Sequence, residues 1–197
     1  MSSRPELTFN VQNSEDAAKS IWDWSEITQK LAGQFEKTRE LLSSFDVSAE
    51  KLKPLRAVAT TAEPYGRKVL FRSEKFEVML ASWTQGAECA PHDHGFSRGV
   101  VWLVDGDFVE MHYDLQQDLK TVGKGILRPE GSFLRVTPGD IHSMVASNGG
   151  LSLHIYTPAI HRMKVYDQAQ RRTLTVSDDC GAWVPLDTTQ ILDQEPW

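Results

Sequence analysis

The chain has 197 residues, of which 40% are hydrophobic, and a formal net charge of -6. This length and composition predict one globular domain with its own core. The acidic balance and the lack of any Lys- and Arg-rich stretch argue against nucleic acid or a membrane surface as a partner. No apolar run approaches the ~20 residues of a membrane helix, and the opening MSSRPELTFN does not read as a secretory signal, so we expect a cytoplasmic protein. Cys89 and Cys180 stand far apart, which predicts reduced thiols rather than a disulfide framework.

Residues 14–56 are predicted to form helices. Apolar residues recur there at the three- and four-residue spacings typical of a helix with one buried face. They are Ile21, Trp24, Ile27, Leu31, Phe35 and Leu41. Ser14 with Asp16 is predicted to cap the first turn, and Ser48 to begin a short third helix.

Residues 64–185 are predicted to form an all-β core. Short β-rich runs alternate there with turn residues. The runs are RKVLFRS, FEVMLASW, GVVWLVDGDFVEMHY, GILR, GSFLRVTPGD, LSLHIYTP, HRMKVYD and RTLTVSD. Many short strands with few helices indicate a barrel or a two-sheet roll. Because no linker-like segment divides the chain, we predict a single domain over residues 1–197, with the helices packed on the barrel.

Two histidines, His92 and His94, directly precede one of the predicted strands. On a strand, residues i and i+2 share a face, so both imidazoles are expected on one side and Asp93 on the other. His142 follows the turn VTPGDI and is predicted to meet them from a neighbouring strand. A lone His-x-His also arises by chance. Three converging imidazoles would instead form an open metal site of a kind that suits zinc, copper, iron or nickel.

The glycines around the histidines strengthen the metal-site interpretation. Over residues 86–106 the pattern G-x5-HxH-x4-G-x6-G resembles the first cupin motif, with Gly99 where that motif has glutamate. Over residues 131–142 the pattern G-x5-TPG-x2-H resembles the second motif, with Thr137 at the usual proline and Ala146 at the usual asparagine. The resemblance implies a cupin (jelly-roll) β-barrel that binds a metal ion.

The residue at position 99 affects the charge of this site. A carboxylate ligand would cancel one unit of the cation's charge, whereas three neutral imidazoles leave that charge in full. Such a site favours a substrate that arrives as an anion, for instance a thiolate.

A row of polar residues alternates with aliphatic ones in LSLHIYTP, residues 151–158. Ser152, His154 and Tyr156 share one face of this predicted strand. On periodicity alone, that face could simply be the solvent side of an amphipathic strand.

The order of these residues resembles the relay of the cysteine dioxygenase family, where it occurs as SLHLYSP or close variants. PYGRKVLFR and FEVMLASWTQGAECAPHDHG resemble the same family, so the resemblance covers most of residues 64–167. It implies that iron(II) is the cofactor and that three histidines hold it. These ligands are His92, His94 and His142.

The resemblance also implies roles around the metal. Arg67 would bind the substrate carboxylate, since its planar fork can form two hydrogen bonds without losing its charge, and Tyr65 would contribute to substrate binding. Tyr156 would point its phenol at the reacting atoms, with His154 and Ser152 orienting it.

One departure from the family concerns Tyr156. Animal members carry a cysteine at the position of Gly99 that becomes thioether-linked to the tyrosine, so an uncrosslinked Tyr156 of the bacterial type is predicted. Cys89 is not expected to replace that cysteine, because on a regular strand Cys89 and His92 lie on opposite faces.

The implied activity is oxidation of L-cysteine by O2 to cysteine sulfinic acid, so the expected partners are a small thiol and O2, with a monomer as the default. An alternative substrate is 3-mercaptopropionate or another small thiol acid, although enzymes resembling that group tend to have glutamine in place of Arg67. An alternative of another class is a zinc- or nickel-binding cupin that acts as a hydrolase or isomerase. A further alternative is a cupin without catalytic activity that senses or stores a ligand.

Overall fold

A computed structural model of the protein describes residues 21–32, 34–60 and 63–197. The described helices are α1 (Trp24–Leu31), α2 (Thr38–Ser44) and α3 (Ala49–Leu52), with short 3-10 turns at Phe35–Lys37, Lys53–Leu55, Leu115–Gln117 and Thr188–Gln190. The described strands are β1 (Tyr65–Arg72), β2 (Glu77–Trp83), β3 (Arg98–Asp105), β4 (Phe108–Asp114), β5 (Lys120–Thr121), β6 (Ile126–Arg128), β7 (Phe133–Val136), β8 (Ile141–Ala146), β9 (Gly150–Thr157), β10 (Lys164–Asp167), β11 (Arg172–Val176) and β12 (Ile191–Pro196).

The strands form a two-layered β-roll. The large sheet has the order β1-β2-β9-β3-β7. Opposite it lie a sheet in which β5, β6 and β8 pair with β4, and a three-stranded sheet of order β10-β11-β12. Every strand pairing within the described residues is antiparallel. The predicted all-β core with an N-terminal helical segment is confirmed, while β12 lies beyond the predicted end of the barrel at residue 185.

The large sheet is covered on both faces. One face packs against the other sheets in a core that includes Met79, Ala81, Phe108 and Leu174. This double cover explains why every residue of β2 is buried, a pattern that departs from the simple alternation of a one-sided sheet.

The helices cover the outer face of the large sheet. Ile27 and Leu31 of α1 pack in one apolar cluster with Leu80 of β2 and Leu153 of β9. Burying such side chains against a sheet is the main source of stability for helices this short. Leu151, Leu153 and Ile155 of β9 therefore lie on the helix side of the sheet.

The helix starts agree with the local sequence. The side chain of Asp23 accepts a hydrogen bond from the backbone N–H of Glu26 at 3.0 Å and caps α1. The third helix follows Ser48, as predicted. The predicted cap at Ser14 and Asp16 lies outside the described residues. Among the helices that the structure describes, none has the length and apolar character needed to span a membrane.

Candidate metal centre

Three buried histidines lie close together in the roll. One ring nitrogen from each of His92, His94 and His142 lies within 4.8 Å of the others, and all three residues are buried. His92 and His142 are joined by backbone hydrogen bonds of 2.9 and 3.0 Å. The expectation that His92 and His94 sit on one regular strand is wrong in detail, because His92 forms an isolated bridge and His94 lies outside any strand. Their rings nevertheless meet, with centroids 4.8 Å apart.

The hydrogen bonds of His92 and His142 leave one nitrogen of each ring free to bind a metal. His92 Nδ1 is 2.9 Å from the carbonyl oxygen of Ala90, and His142 Nδ1 is 2.9 Å from Oε1 of Glu110. Each ring can therefore offer Nε2. Within the described residues, Nδ1 of His94 is buried without a hydrogen-bond partner.

Burial keeps two of these imidazoles uncharged. Burial, together with the neighbouring imidazole of His142, lowers the pKa of His92 to about 3. Burial likewise lowers the pKa of His94 well below its usual value. Neutral imidazoles carry the lone pairs that a metal requires. The three side chains therefore fit a divalent transition-metal ion.

Glu110 supports the third histidine. Besides His142, its carboxylate accepts a hydrogen bond from Nε of Arg128 at 2.7 Å. Burial by itself would raise the pKa of Glu110, but the contacts with His142 and Arg128 outweigh it and lower that pKa to about 2. A carboxylate in this place fixes the ring orientation of a histidine ligand and increases its basicity.

The polar row of β9 faces the cavity beside the histidines rather than solvent. Ser152 Oγ is 2.7 Å from Nε2 of His154, and His154 Nδ1 is 2.8 Å from the hydroxyl of Tyr156. Burial lowers the pKa of His154 to about 3 and raises that of Tyr156 well above its usual value, so both side chains are neutral near pH 7.

Trp83 gives this chain of hydrogen bonds a direction. Its indole nitrogen, which can only donate, lies 3.0 Å from Oγ of Ser152. The Ser152 hydroxyl then donates to His154, whose Nδ1–H donates to the oxygen of Tyr156, because no other acceptor for the serine proton is found within the described residues. The arrangement that satisfies every donor leaves the Tyr156 proton free to be donated into the cavity.

Arg67 and Tyr65 line the same cavity as the histidines. Nη2 of Arg67 donates to Oε1 of Glu77 at 2.6 Å and to the carbonyl oxygen of Asp178 at 3.3 Å. The Tyr65 hydroxyl accepts a hydrogen bond from the backbone N–H of Ala182 at 2.8 Å. Among the described residues no partner is found for the other guanidinium nitrogens of Arg67 or for the proton of Tyr65, so these donors can serve a ligand. The predicted substrate-binding roles stay predictions.

Gly99 lies directly opposite Tyr156 on the neighbouring strand. A Cβ at position 99 would lie 2.1 Å from the carbonyl oxygen of Ile155 and 2.9 Å from a ring carbon of Tyr156. The backbone and the tyrosine ring occupy the place where a carboxylate ligand or a crosslinking cysteine would begin. This geometry is compatible with the prediction of an uncrosslinked Tyr156.

The placement expected for Cys89 is wrong. Its sulfur lies 3.9 Å from Nδ1 of His92, on the same side, because the segment before the histidines is not a regular strand. Burial raises the pKa of Cys89 to about 12, which keeps the thiol protonated. A protonated thiol is a poor metal ligand.

Several contacts at the site are not signalled by the sequence. Alternation in EMHYD places Glu110 and His112 on one face of β4 but does not reveal that β8 brings His142 against that face. Trp83 can be assigned to the core from its large apolar side chain and its apolar neighbours in the sequence. Its hydrogen bond to Ser152, however, depends on the pairing of β2 with β9.

Comparison with known proteins identifies the family. The family model for cysteine dioxygenase type I matches residues 11–169. The chain belongs to the cysteine dioxygenase type I family. Its fold is a cupin β-barrel with an N-terminal helical segment, as the sequence motifs predicted.

Individual relatives of this cysteine dioxygenase family member are distant. Cysteine dioxygenase type 1 of Danio rerio is 26% identical over 102 residues, which cover 48% of this chain and 51% of the relative. The chain thus spans about half the length of this curated relative.

Two solved structures share part of the chain's architecture. An RmlC-like cupin from Shewanella frigidimarina has a TM-score of 0.41 and 23% identity, covering 49% of this chain and 78% of its own. A conserved protein with a double-stranded β-helix domain from Klebsiella pneumoniae has a TM-score of 0.48 and 15% identity, covering 60% of this chain and 93% of its own.

Proposed function

We propose that this protein is an iron(II)-dependent thiol dioxygenase that converts L-cysteine and O2 to cysteine sulfinic acid. The observation that carries the proposal is that one cavity is lined by the three histidines, by Tyr156 and by Arg67. A metal-binding group, a hydrogen-bond donor and a carboxylate-binding cation are thus available to one small molecule. Membership of the cysteine dioxygenase type I family supports the same reaction.

The reaction adds both atoms of O2 to the sulfur of the thiol. The thiol becomes a sulfinate, the sulfur loses four electrons to O2, and one proton is released. Iron(II), when bound by His92, His94 and His142, supplies the O2 chemistry that amino-acid side chains lack. The protein supplies the orientation and the hydrogen bonds.

Arg67 is proposed to orient the carboxylate of L-cysteine. The Nη2 atom is already held by Glu77 and Asp178, which fixes the plane of the guanidinium. A guanidinium held in this way loses little freedom when it binds a carboxylate. Tyr65 is proposed to donate its hydroxyl proton to the same ligand.

Tyr156 is proposed to donate a hydrogen bond to the reacting sulfur or oxygen atoms. Burial raises the pKa of Tyr156, so the phenol keeps its proton and acts as a donor rather than as a base. His154 and Ser152 hold the phenol oxygen, and Trp83 holds Ser152. A site that only stored a ligand would not require this series of hydrogen bonds.

The deciding experiment is anaerobic iron loading followed by an oxygen-electrode assay with L-cysteine, cysteamine and 3-mercaptopropionate. We expect O2 consumption with the highest specificity constant for L-cysteine and formation of cysteine sulfinic acid. A higher constant for 3-mercaptopropionate would reassign the substrate. Stoichiometric zinc without thiol-dependent O2 uptake would instead favour a hydrolytic or isomerising cupin.

A further inference from the structure

A buried carboxylate lies between two arginines at the edge of the cavity. Glu77 is 0% exposed; its Oε1 is 2.6 Å from Nη2 of Arg67 and its Oε2 is 3.1 Å from Nη2 of Arg72. Both arginines also donate to the carbonyl oxygen of Asp178, at 3.3 and 2.9 Å. Arg67 lines the cavity, whereas Glu77 and Arg72 do not. We call Arg67, Arg72 and Glu77 the arginine cluster.

A register shift in β1 creates this cluster. Arg67 pairs with Ala81 and Val69 with Met79, but beyond the shift Phe71 pairs with Val78 and Arg72 with Glu77. Between these pairs β1 contains one residue more than β2. Without that extra residue, Phe71 would stand opposite Glu77, and Arg72 would point to the other face of the sheet. The irregularity therefore exchanges an aromatic ring for a second cation beside the buried carboxylate.

The charges of the cluster sum to one positive unit. With Arg67 and Glu77 alone the pair would be neutral, and a substrate carboxylate would approach a group already compensated by a buried anion. Arg72 contributes the charge that offsets Glu77, so that the charge of Arg67 remains available to the cavity. When a monocarboxylate binds, the whole group becomes neutral.

We propose that Arg72, although outside the cavity, determines the preference for thiols that carry one carboxylate by compensating Glu77. The inference rests on the proposed function and deepens it, since it names the ligand class that Arg67 selects. Arg72 acts through charge and is a positioning and specificity residue rather than a catalytic one.

Other nearby acids do not cancel the positive charge of the two arginines as strongly as Glu77 does. The carboxylate of Asp178 is 3.1 Å from His161 and 40% exposed. Asp179 is 3.7 Å from Nη1 of Arg72 but 90% exposed, so water and salt screen its charge. Glu77 is fully buried, and a buried anion interacts with neighbouring charges far more strongly than an exposed one.

The test compares two ligands that differ only in the carboxylate. Dissociation constants of L-cysteine and cysteamine are measured by titration calorimetry on the iron(II)-loaded full chain without O2. We expect Arg72→Gln to weaken L-cysteine about tenfold and to leave cysteamine nearly unchanged, because one unit of positive charge is removed close to Arg67. Arg172→Gln is the matched control, since that arginine is 26% exposed, pairs with the buried Asp167 and lies away from the cavity.

The direction in which three variants change the affinity for L-cysteine separates charge compensation from structural damage. Glu77→Gln is expected to bind L-cysteine at least as tightly as the natural protein, since the cluster gains one unit of positive charge. The double variant Arg72→Gln with Glu77→Gln restores the original net charge and is expected to bind within about threefold of the natural protein. Damage to the site would weaken binding in all three.

A second variant covers the case in which Arg72→Gln does not fold. Arg72→Lys keeps the charge and is expected to keep the preference for L-cysteine over cysteamine. Loss of that preference in Arg72→Lys, or an unchanged preference in a folded Arg72→Gln, overturns the inference. A natural protein that binds L-cysteine no better than cysteamine overturns it as well.

Oxygen uptake is measured separately so that the two hypotheses can fail independently. If the protein shows the predicted binding pattern but consumes no O2, the result contradicts the proposed function and supports the role proposed for Arg72. If the natural protein and Arg72→Gln both oxidise thiols with the same selectivity, the result supports the proposed function and contradicts the role proposed for Arg72.

Discussion

Tyr156 connects the metal centre to the hydrogen-bonded row of β9. Its ring stacks on His94 with centroids 5.2 Å apart and an interplanar angle of 28°, while its hydroxyl is bonded to His154. Gly99 leaves room for the ring to lie in this position. The tyrosine is therefore fixed from three sides before any ligand binds.

Substitution of Tyr156 tests the role of its hydroxyl. Tyr156→Phe removes the oxygen and keeps the ring, so we expect iron content to be retained and kcat for L-cysteine to fall by about 100-fold. Steady-state O2 uptake and metal analysis measure the two effects. Tyr113→Phe, which removes a phenol oxygen bonded to Ser143 outside the cavity, is the control. Full activity in Tyr156→Phe would remove the hydroxyl from the mechanism.

Glu110 is expected to act on the metal rather than on the thiol. Glu110→Gln keeps the shape of the side chain but removes the charge that orients His142, and such changes weaken metal binding by about 10- to 100-fold. Competition with a chelator of known affinity measures the loss. Glu50→Gln, at an exposed position of α3, is the control. Equal iron affinity in the two variants would show that Glu110 only supports the fold.

Individual site residues differ in how far the sequence predicts them. The convergence of His92, His94 and His142 was predictable because a metal site needs particular side chains at particular spacings. Glu110 was not, since an acid that alternates along a strand looks the same whether its face meets water or another strand. Arg72 was not either, because its orientation depends on a register shift.

At the level of elements, the large sheet separates two environments. Its outer face packs against the helices and its inner face lines the cavity, so alternate residues of β9 meet the helices and the candidate site. The sequence predicted the alternation of β9 and the helical segment. It left open that both faces of β9 are covered, because the cover of the outer face depends on where the helices pack.

Because the helices and the candidate site lie on opposite faces of the large sheet, we expect that the contact between helices and sheet can be weakened without changing the site. Leu31→Ala removes a fully buried side chain of α1, and we expect the free energy of unfolding to fall by about 2–5 kcal/mol. Iron stoichiometry of the folded protein is expected to remain unchanged. Denaturant titration gives the free energy, and Leu127→Ala, 64% exposed on β6, is the control. A loss of iron in folded Leu31→Ala would show that the helices also shape the metal centre.

On the scale of the whole molecule, the metal centre joins distant parts of the chain. His92 and His94 lie in the segment between β2 and β3, and backbone hydrogen bonds join this segment to β8, which carries His142. The three nitrogens come together only after this segment has paired with β8. An unfolded chain would hold a metal ion much more weakly, so metal binding must stabilise the folded state.

Iron(II) is therefore expected to raise the free energy of unfolding by about 2.7 kcal/mol when its free concentration is 100 times the dissociation constant. The increment is the difference between anaerobic denaturant titrations with and without iron, so any direct cost of a substitution cancels. His142→Ala removes one of three ligands and is expected to lose the increment, while His161→Ala, an exposed histidine outside the cavity lining, should keep it. An increment that survives in His142→Ala would mean that iron stabilises the protein at another place. Because the segment that carries His92 and the strand that carries His142 separate on unfolding, loss of the increment in His142→Ala but not in His161→Ala would identify the histidine site as the link between metal and fold.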